Sequence, residues 1–335
     1  MYFRLCIILK SYPEKGGAIA EYLPSPKGLS LTIVNLSRTG RRRQRLCKIS
    51  RHSWFRGNEM DEHVIEALGK ARVVIRNGKV AEVGEPKIGY CPIFDKHRGI
   101  KKIDKEVIGK NMQFRIDDFG MCTPARVLKM KDFLSFGVSE IICTAMTQGL
   151  VDAAVLVCEG TGTLIVADPE MVQGVGGRVS GLVSTTPIPE LIERVGKDKV
   201  LDPVTAKIDQ IAGVKKAIAM GYKKIAVSII SGSDAQKLKQ LEEESGATIY
   251  TFLVHSTGIS HEEAELAYQY ADVITGCASR HLRELGAAKG VPKVGDSIPM
   301  YGASPRGAQL IEARIKFMGK EIKANPQAPQ PDKLL

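Results

Sequence analysis

The sequence lacks the features that mark several common classes of protein. No apolar run approaches the length of a membrane span, which predicts a soluble protein without membrane contact. The apolar run Leu5–Leu9 is too short for a secretory signal, and no small-residue cleavage site follows it. None of the seven cysteines form a Cys-x-x-Cys pair, so neither a zinc site nor a standard iron–sulfur motif is indicated. We therefore expect a cytoplasmic protein without disulfides.

Positive charge is concentrated at the start of the chain. The formal net charge is +11, but residues 1–59 hold 12 Lys and Arg against 3 Asp and Glu, which leaves 36 against 34 in residues 60–335. This basic leader includes the run Arg41–Arg45 and shows no sustained periodicity. We predict that it is disordered, or that Met60 is the true start. A nucleic-acid-binding arm is the alternative, although the leader offers no folded platform with interleaved aromatic residues to support it.

A glycine-rich stretch follows a predicted hairpin. Two apolar runs, Ala153–Val157 and Leu164–Ala167, flank the turn Glu159–Gly162. After them come four glycines, one arginine and one serine within eight residues, at Gly174, Gly176, Gly177, Arg178, Ser180 and Gly181. Glycines let main-chain N–H groups approach a ligand, so we predict an anion-binding loop; a tight connection is the alternative. The stretch matches neither the Gly-Lys-Ser/Thr phosphate loop nor the dinucleotide fingerprint.

The segment after Met60 opens with a predicted helix and a hairpin. Asp61 is placed to cap a helix whose apolar positions Val64, Ile65 and Leu68 share one face. Further on, Asn77-Gly78 between two apolar runs predicts a two-residue hairpin.

A polar segment, Arg115–Arg126, leads into a predicted helix from Ala125 to about Phe136. Proline following Thr123 fits the first helical position, and the helix N-terminus would stabilise a thiolate at Cys122. An ordinary capping turn with a buried cysteine is the alternative. Glu140–Thr144 is predicted to be a buried strand.

Strands and helices alternate from Pro187 to Met318, which predicts a mostly parallel sheet with helices on both faces. The fold class is therefore α/β, with a mixed α+β N-terminal part that contains a β-hairpin. We divide the chain into the leader (1–59), a mixed α/β domain with the Gly-rich loop (60–186), a parallel-sheet α/β domain (187–320) and a disordered tail rich in Pro and Gln (321–335).

Ligands bind such sheets beyond the carboxyl ends of the strands, so the loops there are candidates for a polar crevice. These loops carry hydroxyls and donors at Ser231, Ser233, Ser256, Thr257, Arg280 and Arg306. They also contain His255 and His281. Many of the hydroxyls would serve as helix caps, but capping alone does not require two histidines and two arginines.

Four cysteines fall in loops or at strand ends, where metal ligands and nucleophiles are found. They are Cys91, Cys122, Cys158 and Cys277. One hypothesis is that they converge on a metal or an iron–sulfur cluster. A Cys–His catalytic site is the rival use, with Cys122, Cys277, His255 and His281 as candidates, although no nucleophile signature supports it.

Several motifs together resemble the methanogenesis marker protein 8 family of methanogenic archaea. They are DDFGMCTPAR at Asp117–Arg126, CEGTGT at Cys158–Thr163, VQGVGGRVSG at Val172–Gly181, HSTGIS at His255–Ser260 and TGCASRHLRE at Thr275–Glu284. The resemblance extends from about Met60 to Met318 and implies a cytosolic protein of a strict anaerobe.

Three functions follow as expectations. The first, suggested by the resemblance, is an assembly or maturation factor linked to methyl-coenzyme M reductase, its activation proteins or its cofactors. The second is an enzyme acting on a small anionic metabolite or cofactor precursor in a crevice rich in Gly, Arg and Ser. The third is a nucleic-acid-associated regulator that uses the basic leader.

Overall fold

The computed structural model describes residues 61–132, 135–178, 181–319 and 322–335, together with the backbone of three strands in the leader. The chain divides into two units, Met1–Glu59 and Met60–Leu335. In the first unit, β1 (Ala18–Ser25), β2 (Gly28–Asn35) and β3 (Arg43–Leu46) form an antiparallel sheet. The sequence predicts no regular structure in this unit, so these strands are a finding of the structure. Met60 itself lies outside the described residues.

The second unit alternates strands and helices along most of its length. Its strands are β4 (Glu62–Glu66), β5 (Arg72–Arg76), β6 (Lys79–Val83), β7 (Ala153–Cys158), β8 (Gly162–Val166), β9 (Gly181–Thr185), β10 (Lys224–Ile229), β11 (Thr248–Leu253), β12 (Val273–Thr275), β13 (Lys293–Val294) and β14 (Met300–Gly302). Its helices are α1 (Pro92–Arg98), α2 (Lys105–Phe119), α3 (Val138–Thr147), α4 (Pro169–Gly176), α5 (Pro189–Val195), α6 (Gln210–Ala219), α7 (Gly232–Ser245), α8 (His261–Tyr270), α9 (Arg280–Ala288) and α10 (Pro305–Met318). Within the described part of the chain, no helix has the length and apolarity needed to cross a membrane.

A central sheet of seven strands has the order β13-β14-β12-β11-β10-β7-β8. Strands β7, β10, β11 and β12 are parallel, while β8 and β14 run antiparallel to their inner neighbours. Successive side chains of a strand point to opposite faces, and β7 shows the consequence. Ala154 and Leu156 join the core beneath α3, α4 and α10, whereas Ala153 and Val155 join the core beneath α6, α7 and α8. The predicted α/β class, with helices on both faces of a mostly parallel sheet, is confirmed.

A second sheet, antiparallel with the order β6-β5-β4-β9, packs against α2. Ile108, Met112 and Ile116 recur every four residues on one face of α2 and fill the core under this sheet. The hairpin predicted at Asn77-Gly78 is confirmed, since it joins β5 to β6.

The helix predicted after Asp61 is wrong, because Glu62–Glu66 is strand β4. This strand pairs with β5 on one side and with β9 on the other. Val64 and Ile65 are buried on opposite faces of the sheet, and two adjacent apolar residues fit a helix face equally well in sequence.

Two predictions between Cys122 and Thr144 are also wrong. The polar segment does not start a helix at Ala125; its first five residues belong to α2, which ends at Phe119 and is capped by Gly120 in a left-handed conformation, φ 63°. Residues 120–132 form turns and irregular structure, and residues 133 and 134 lie outside the described residues. Glu140–Thr144 belongs to α3 and not to a strand, because a short apolar run does not distinguish a buried strand from a buried helix.

The predicted glycine-rich loop is largely helical. Gly174 and Gly176 lie in α4, Gly177 caps it and Arg178 follows, while Ser180 lies outside the described residues. A Cβ atom at Gly174 would lie 2.1 Å from the Leu128 carbonyl oxygen. Glycine is therefore required there for close approach of two backbone segments, and not for a ligand loop.

The final residues differ from the predicted disordered tail. Leu335 N–H donates to the Ala278 carbonyl at 2.9 Å, and Arg280 N–H donates to the Leu335 carbonyl at 2.8 Å. The Pro- and Gln-rich composition indicates low intrinsic order, but these main-chain bonds hold the last residue against the chain that follows β12.

Candidate anion-binding site

The turn Glu159–Gly162 lies at the carboxyl end of β7 and joins this strand to β8. The hairpin predicted there is confirmed. Since β8 lies on one side of β7 and β10 on the other, the strand order changes direction at this point. In open α/β sheets, ligands bind in the crevice at such a switch point.

A buried ion pair occupies this position. Arg126 Nε donates to Glu159 Oε2 at 3.1 Å, and both side chains are 0% exposed. Arg126 also donates to the carbonyl oxygens of Val127 (2.6 Å) and Val175 (3.4 Å). Burial opposes ionisation of Glu159, but the charge and hydrogen bond of Arg126, together with hydrogen bonds from the main chain and Cys158, outweigh burial and hold the pKa of this carboxyl below its ordinary value. The second oxygen, Oε1, has no hydrogen-bond partner among the described residues.

Three further arginines interact through their charges with this pair or with one another. Burial of its guanidinium lowers the pKa of Arg115 to about 10; the charge of Glu159 opposes this shift, whereas Arg126, Arg98 and Arg178 reinforce it. Burial, followed by the charges of Arg98 and Arg126, likewise lowers the pKa of Arg178. We call Arg98, Arg115, Arg126 and Arg178 the arginine cluster. Its members repel one another at the switch point of the sheet.

Aromatic rings of α2 orient two of these guanidinium groups. Arg178 lies over the Phe119 ring at 4.2 Å, and Arg98 lies over the Phe114 ring at 4.6 Å. The two rings are 5.9 Å apart in an edge-to-face arrangement. Arg178 Nε also donates to Met130 Sδ at 3.4 Å, so ring and sulfur together fix this guanidinium.

Two buried thiols border the cluster. Cys158 Sγ donates to Glu159 Oε2 at 3.4 Å. Burial and the negative charge of Glu159 raise the pKa of both Cys158 and Cys122. The prediction of a thiolate at Cys122 is wrong. This residue follows the end of α2, so no helix N-terminus is present to stabilise a thiolate there. Both groups remain protonated thiols at neutral pH.

A chain of hydrogen bonds fixes the Glu159–Gly162 turn to the antiparallel sheet. Gly160 N–H donates to Thr185 Oγ1 at 2.7 Å, and His63 Nδ1 lies 2.5 Å from the same hydroxyl. His63 Nε2 in turn lies 2.8 Å from Asp61. Sequence reasoning did not identify His63 or Glu159 as site residues. The signal in the sequence was the turn itself, since its only acidic residue directly follows an apolar strand.

A second polar group lies at the carboxyl end of β11. His255 Nε2 is 2.8 Å from Glu66 Oε2 at the end of β4, and Lys70 Nζ donates to the Thr257 carbonyl at 2.7 Å. Burial lowers the pKa of His255, although Glu66 acts in the opposite direction, so the ring is neutral at pH 7. His255 has φ 54° and Cys277, after β12, has φ 32°. Such conformations are uncommon for residues other than glycine and concentrate at functional sites.

The hydroxyl candidates at these strand ends already have protein partners. Ser231 caps α7 through Asp234 N–H at 3.2 Å, and Ser233 Oγ donates to Ser231 Oγ at 3.3 Å. Ser256 Oγ donates to the Thr275 carbonyl at 2.5 Å, while Thr257 Oγ1 accepts from Ala278 N–H at 3.3 Å. The bonds of Ser256 and Thr257 connect the loop after β11 with the end of β12 and the loop that follows it.

Arg306 does not lie at this edge. It donates to Asp272 at 2.6 Å and to the Ile249 carbonyl at 2.8 Å, close to the amino ends of β12 and β11. Strand β14 runs antiparallel to β12, so the loop after β14 is carried to the opposite edge. Arg280 and His281 open α9; the Arg280 side chain reaches the Leu334 carbonyl, and the His281 ring packs edge-on against His261 at 5.3 Å.

The four loop cysteines are all free thiols. Cys122 and Cys158 interact beside Glu159. Burial raises the pKa of Cys91, main-chain N–H groups of α1 oppose this, and nearby Cys277 adds to the increase. In the described ranges, no group of three or more His, Cys, Asp or Glu side chains is arranged to hold a metal ion.

Comparison with known proteins places the chain in a family. The model of the family DUF2099, described as an uncharacterized protein conserved in archaea, matches residues 63–316. The chain belongs to this family. The uncharacterized protein MJ0054 of Methanocaldococcus jannaschii is 48% identical to it over 266 residues, which cover 78% of this chain and 94% of the relative. No solved structure matches the chain. The family match includes the whole arginine cluster and His255, whereas the leader lies outside it.

Proposed function

We propose that this protein binds a small anionic metabolite or cofactor precursor at the arginine cluster. The observation that carries the proposal is the buried Arg126–Glu159 pair with the charges of Arg98, Arg115 and Arg178 nearby. Burial disfavours the charged forms of Arg115 and Arg178, the nearby arginine charges add to this effect, and a bound anion would oppose both. Planar guanidinium forks bind carboxylate, phosphate and sulfonate groups through paired hydrogen bonds.

The surroundings favour a ligand with a second polar group. Glu159 Oε1 is buried without a described partner, and a buried acceptor of this kind is suited to a hydroxyl or amine donor. Phe114 and Phe119 provide apolar surface beside the arginines. The neighbouring thiols of Cys122 and Cys158 are protonated, which favours ligand binding there over nucleophilic attack.

The test is thermal unfolding of the full chain in the presence of phosphate, sulfate, nucleotides and carboxylated or sulfonated metabolites, at matched ionic strength. An anion that binds should raise the unfolding temperature of the wild-type protein. Arg178→Ala should weaken its apparent affinity about tenfold or more, because a charge-assisted hydrogen bond contributes about 1.5–3 kcal/mol. Arg178→Lys should restore only part of the affinity, since lysine lacks the planar fork.

Arg72→Ala is the matched control, because Arg72 is an exposed arginine on β5 outside the cluster. It should leave every anion effect unchanged. If no anion stabilises the wild-type protein, the proposal fails. It also fails if anions stabilise Arg178→Ala and Arg72→Ala equally, because the cluster would then have only a structural role.

We further infer that the ligand belongs to the metabolism of methanogens. The motifs that resemble methanogenesis marker protein 8 support this setting, as does a relative from a methanogen. An assembly or maturation role linked to methyl-coenzyme M reductase stays a prediction. Affinity purification from a methanogen at native expression levels tests it, and a preparation without reductase subunits or activation proteins would count against it.

A further inference from the structure

The final segment of the chain, residues 325–335, lies as a strap over the carboxyl ends of β11 and β12. Asn325 N–H donates to Asp296 at 2.6 Å, which fixes the start of the strap. Further along, the carboxylate of Asp332 accepts from the N–H groups of Gly89 (2.9 Å) and Tyr90 (3.0 Å). The strap therefore connects the loop before α1 with the loop before β14.

The end of the strap enters the crevice between two loops of the central sheet. Leu335 exchanges main-chain hydrogen bonds with Ala278 and Arg280, in the loop after β12. On the other side, a Cβ atom at Gly258 would lie 3.6 Å from Leu335 Cβ, in ordinary van der Waals contact. Leu334 and Leu335 also pack against the core under the antiparallel sheet. The strap thus occupies the position where α/β sheets of this kind receive ligands.

Two free, partly buried thiols lie beside the strap contacts. Cys91 follows Tyr90, which the strap binds through Asp332, and Cys277 precedes Ala278, which it binds through Leu335. Arg283 strengthens this connection, because it donates to the Cys277 carbonyl at 2.6 Å and to Gln330 of the strap at 2.7 Å.

We propose that the strap is a detachable cover that controls access of solutes to Cys91 and Cys277 and to the neighbouring crevice. It is held at separate points by hydrogen bonds and by two partly exposed leucines. A segment with so few buried apolar contacts opens locally at lower free energy than the whole domain unfolds. Opening would expose the thiols and the loop that carries His255 while the central sheet stays intact.

The test compares thiol alkylation by iodoacetamide, followed residue by residue with mass spectrometry, in full-length variants. Asp332→Ala combined with Leu335→Ser removes the carboxylate bonds to Gly89 and Tyr90 and the apolar packing of the Leu335 side chain, which weakens both anchors next to the thiols. Lys333→Ala is the matched control, since Lys333 is an exposed residue of the same strap. We expect alkylation of Cys91 and Cys277 to be faster in the double variant by on the order of tenfold or more, because the labelling rate follows the open population. The buried Cys143 should label at the same rate in both proteins.

A chain that ends at residue 324 provides a second measurement, once thermal unfolding shows that it is folded. It should label as fast as the double variant, and a synthetic peptide of residues 325–335 should slow it again, whereas a scrambled peptide should not. Equal labelling of both cysteines in the double variant and in Lys333→Ala would overturn the proposal. Anion-induced stabilisation is measured separately, so failure of the arginine cluster would not alter this outcome.

Discussion

At the scale of single residues, the Arg126–Glu159 pair controls how the candidate site is held. Both side chains are fully buried, and Arg126 also binds main-chain oxygens on either side of the site. Two buried charges are costly to desolvate, so their pairing offsets a penalty more than it adds stability. Removing one partner leaves the other charge uncompensated in the interior.

Glu159→Gln should therefore lower the free energy of unfolding by about 3–5 kcal/mol at pH 7. Urea unfolding followed by circular dichroism measures this difference. Glu243→Gln is the control, because Glu243 is an exposed residue of α7, and its effect should stay within about 0.5 kcal/mol. A Glu159→Gln protein as stable as the control would show that the buried pair contributes nothing to folding.

The Arg126–Glu159 pair also predicts how the difference in unfolding free energy between wild type and Glu159→Gln depends on pH. In the folded protein the pKa of Glu159 is below its ordinary value, so the ionised carboxylate stabilises the fold. This contribution to the free energy of unfolding is complete above the unfolded pKa of about 4.3 and is lost as the pH falls through the lower folded pKa. The gap in unfolding free energy between wild type and Glu159→Gln should be constant from pH 7 to pH 5 and narrow at lower pH. A gap that widens on acidification would contradict this assignment.

At the scale of elements, α4 brings Arg178 to the cluster through a close contact with the segment before α3. Gly174 and Gly176 both lie in this helix but face different surroundings. A Cβ atom at Gly174 would meet the Leu128 carbonyl at 2.1 Å, whereas one at Gly176 would meet Ser139 and Leu156 at 3.6 and 3.7 Å.

Gly174→Ala should destabilise the protein by about 1–3 kcal/mol or more, because backbone atoms must move to admit the methyl group. Gly176→Ala should be neutral or stabilise by up to about 1 kcal/mol, since alanine restricts the unfolded chain and favours the helix. Chemical unfolding of the two variants in parallel measures both effects. If Gly174→Ala and Gly176→Ala were equally stable, the backbone of α4 would not be in close contact with Leu128.

The elements also show what can be predicted from sequence. Helices α8 and α10 confirm the alternation of strands and helices predicted from Pro187 to Met318, because their apolar period is regular and Ser260 and Ser304 cap them. By contrast, the short apolar run in α3 carries no period that separates a helix from a strand. The pairing of Arg126 with Glu159 joins residues 33 positions apart, so it depends on the position of β7 in the sheet and not on a local motif. The individual motifs were visible, but their convergence required the topology.

At the scale of the whole molecule, the distribution of charged residues and the extent of the family match both divide the chain near residue 60. The compact second unit begins at Met60, and the family match begins at residue 63. Removing residues 1–59 removes 12 basic and 3 acidic side chains, and the rest of the chain then carries 36 basic and 34 acidic ones. Any strong, sequence-independent attraction to nucleic acid should therefore depend on the leader.

A chain of residues 60–335 should accordingly unfold cooperatively, within about 2–4 °C of the full-length protein, as expected for a change of 1 kcal/mol or less in a domain of this size. It should retain any anion-induced stabilisation and lose binding to duplex DNA at low salt, measured by fluorescence anisotropy. Retained DNA binding would place the basic surface on the second unit and revive the nucleic-acid hypothesis there. A shortened chain that fails to unfold cooperatively would instead show that the second unit does not fold without the leader.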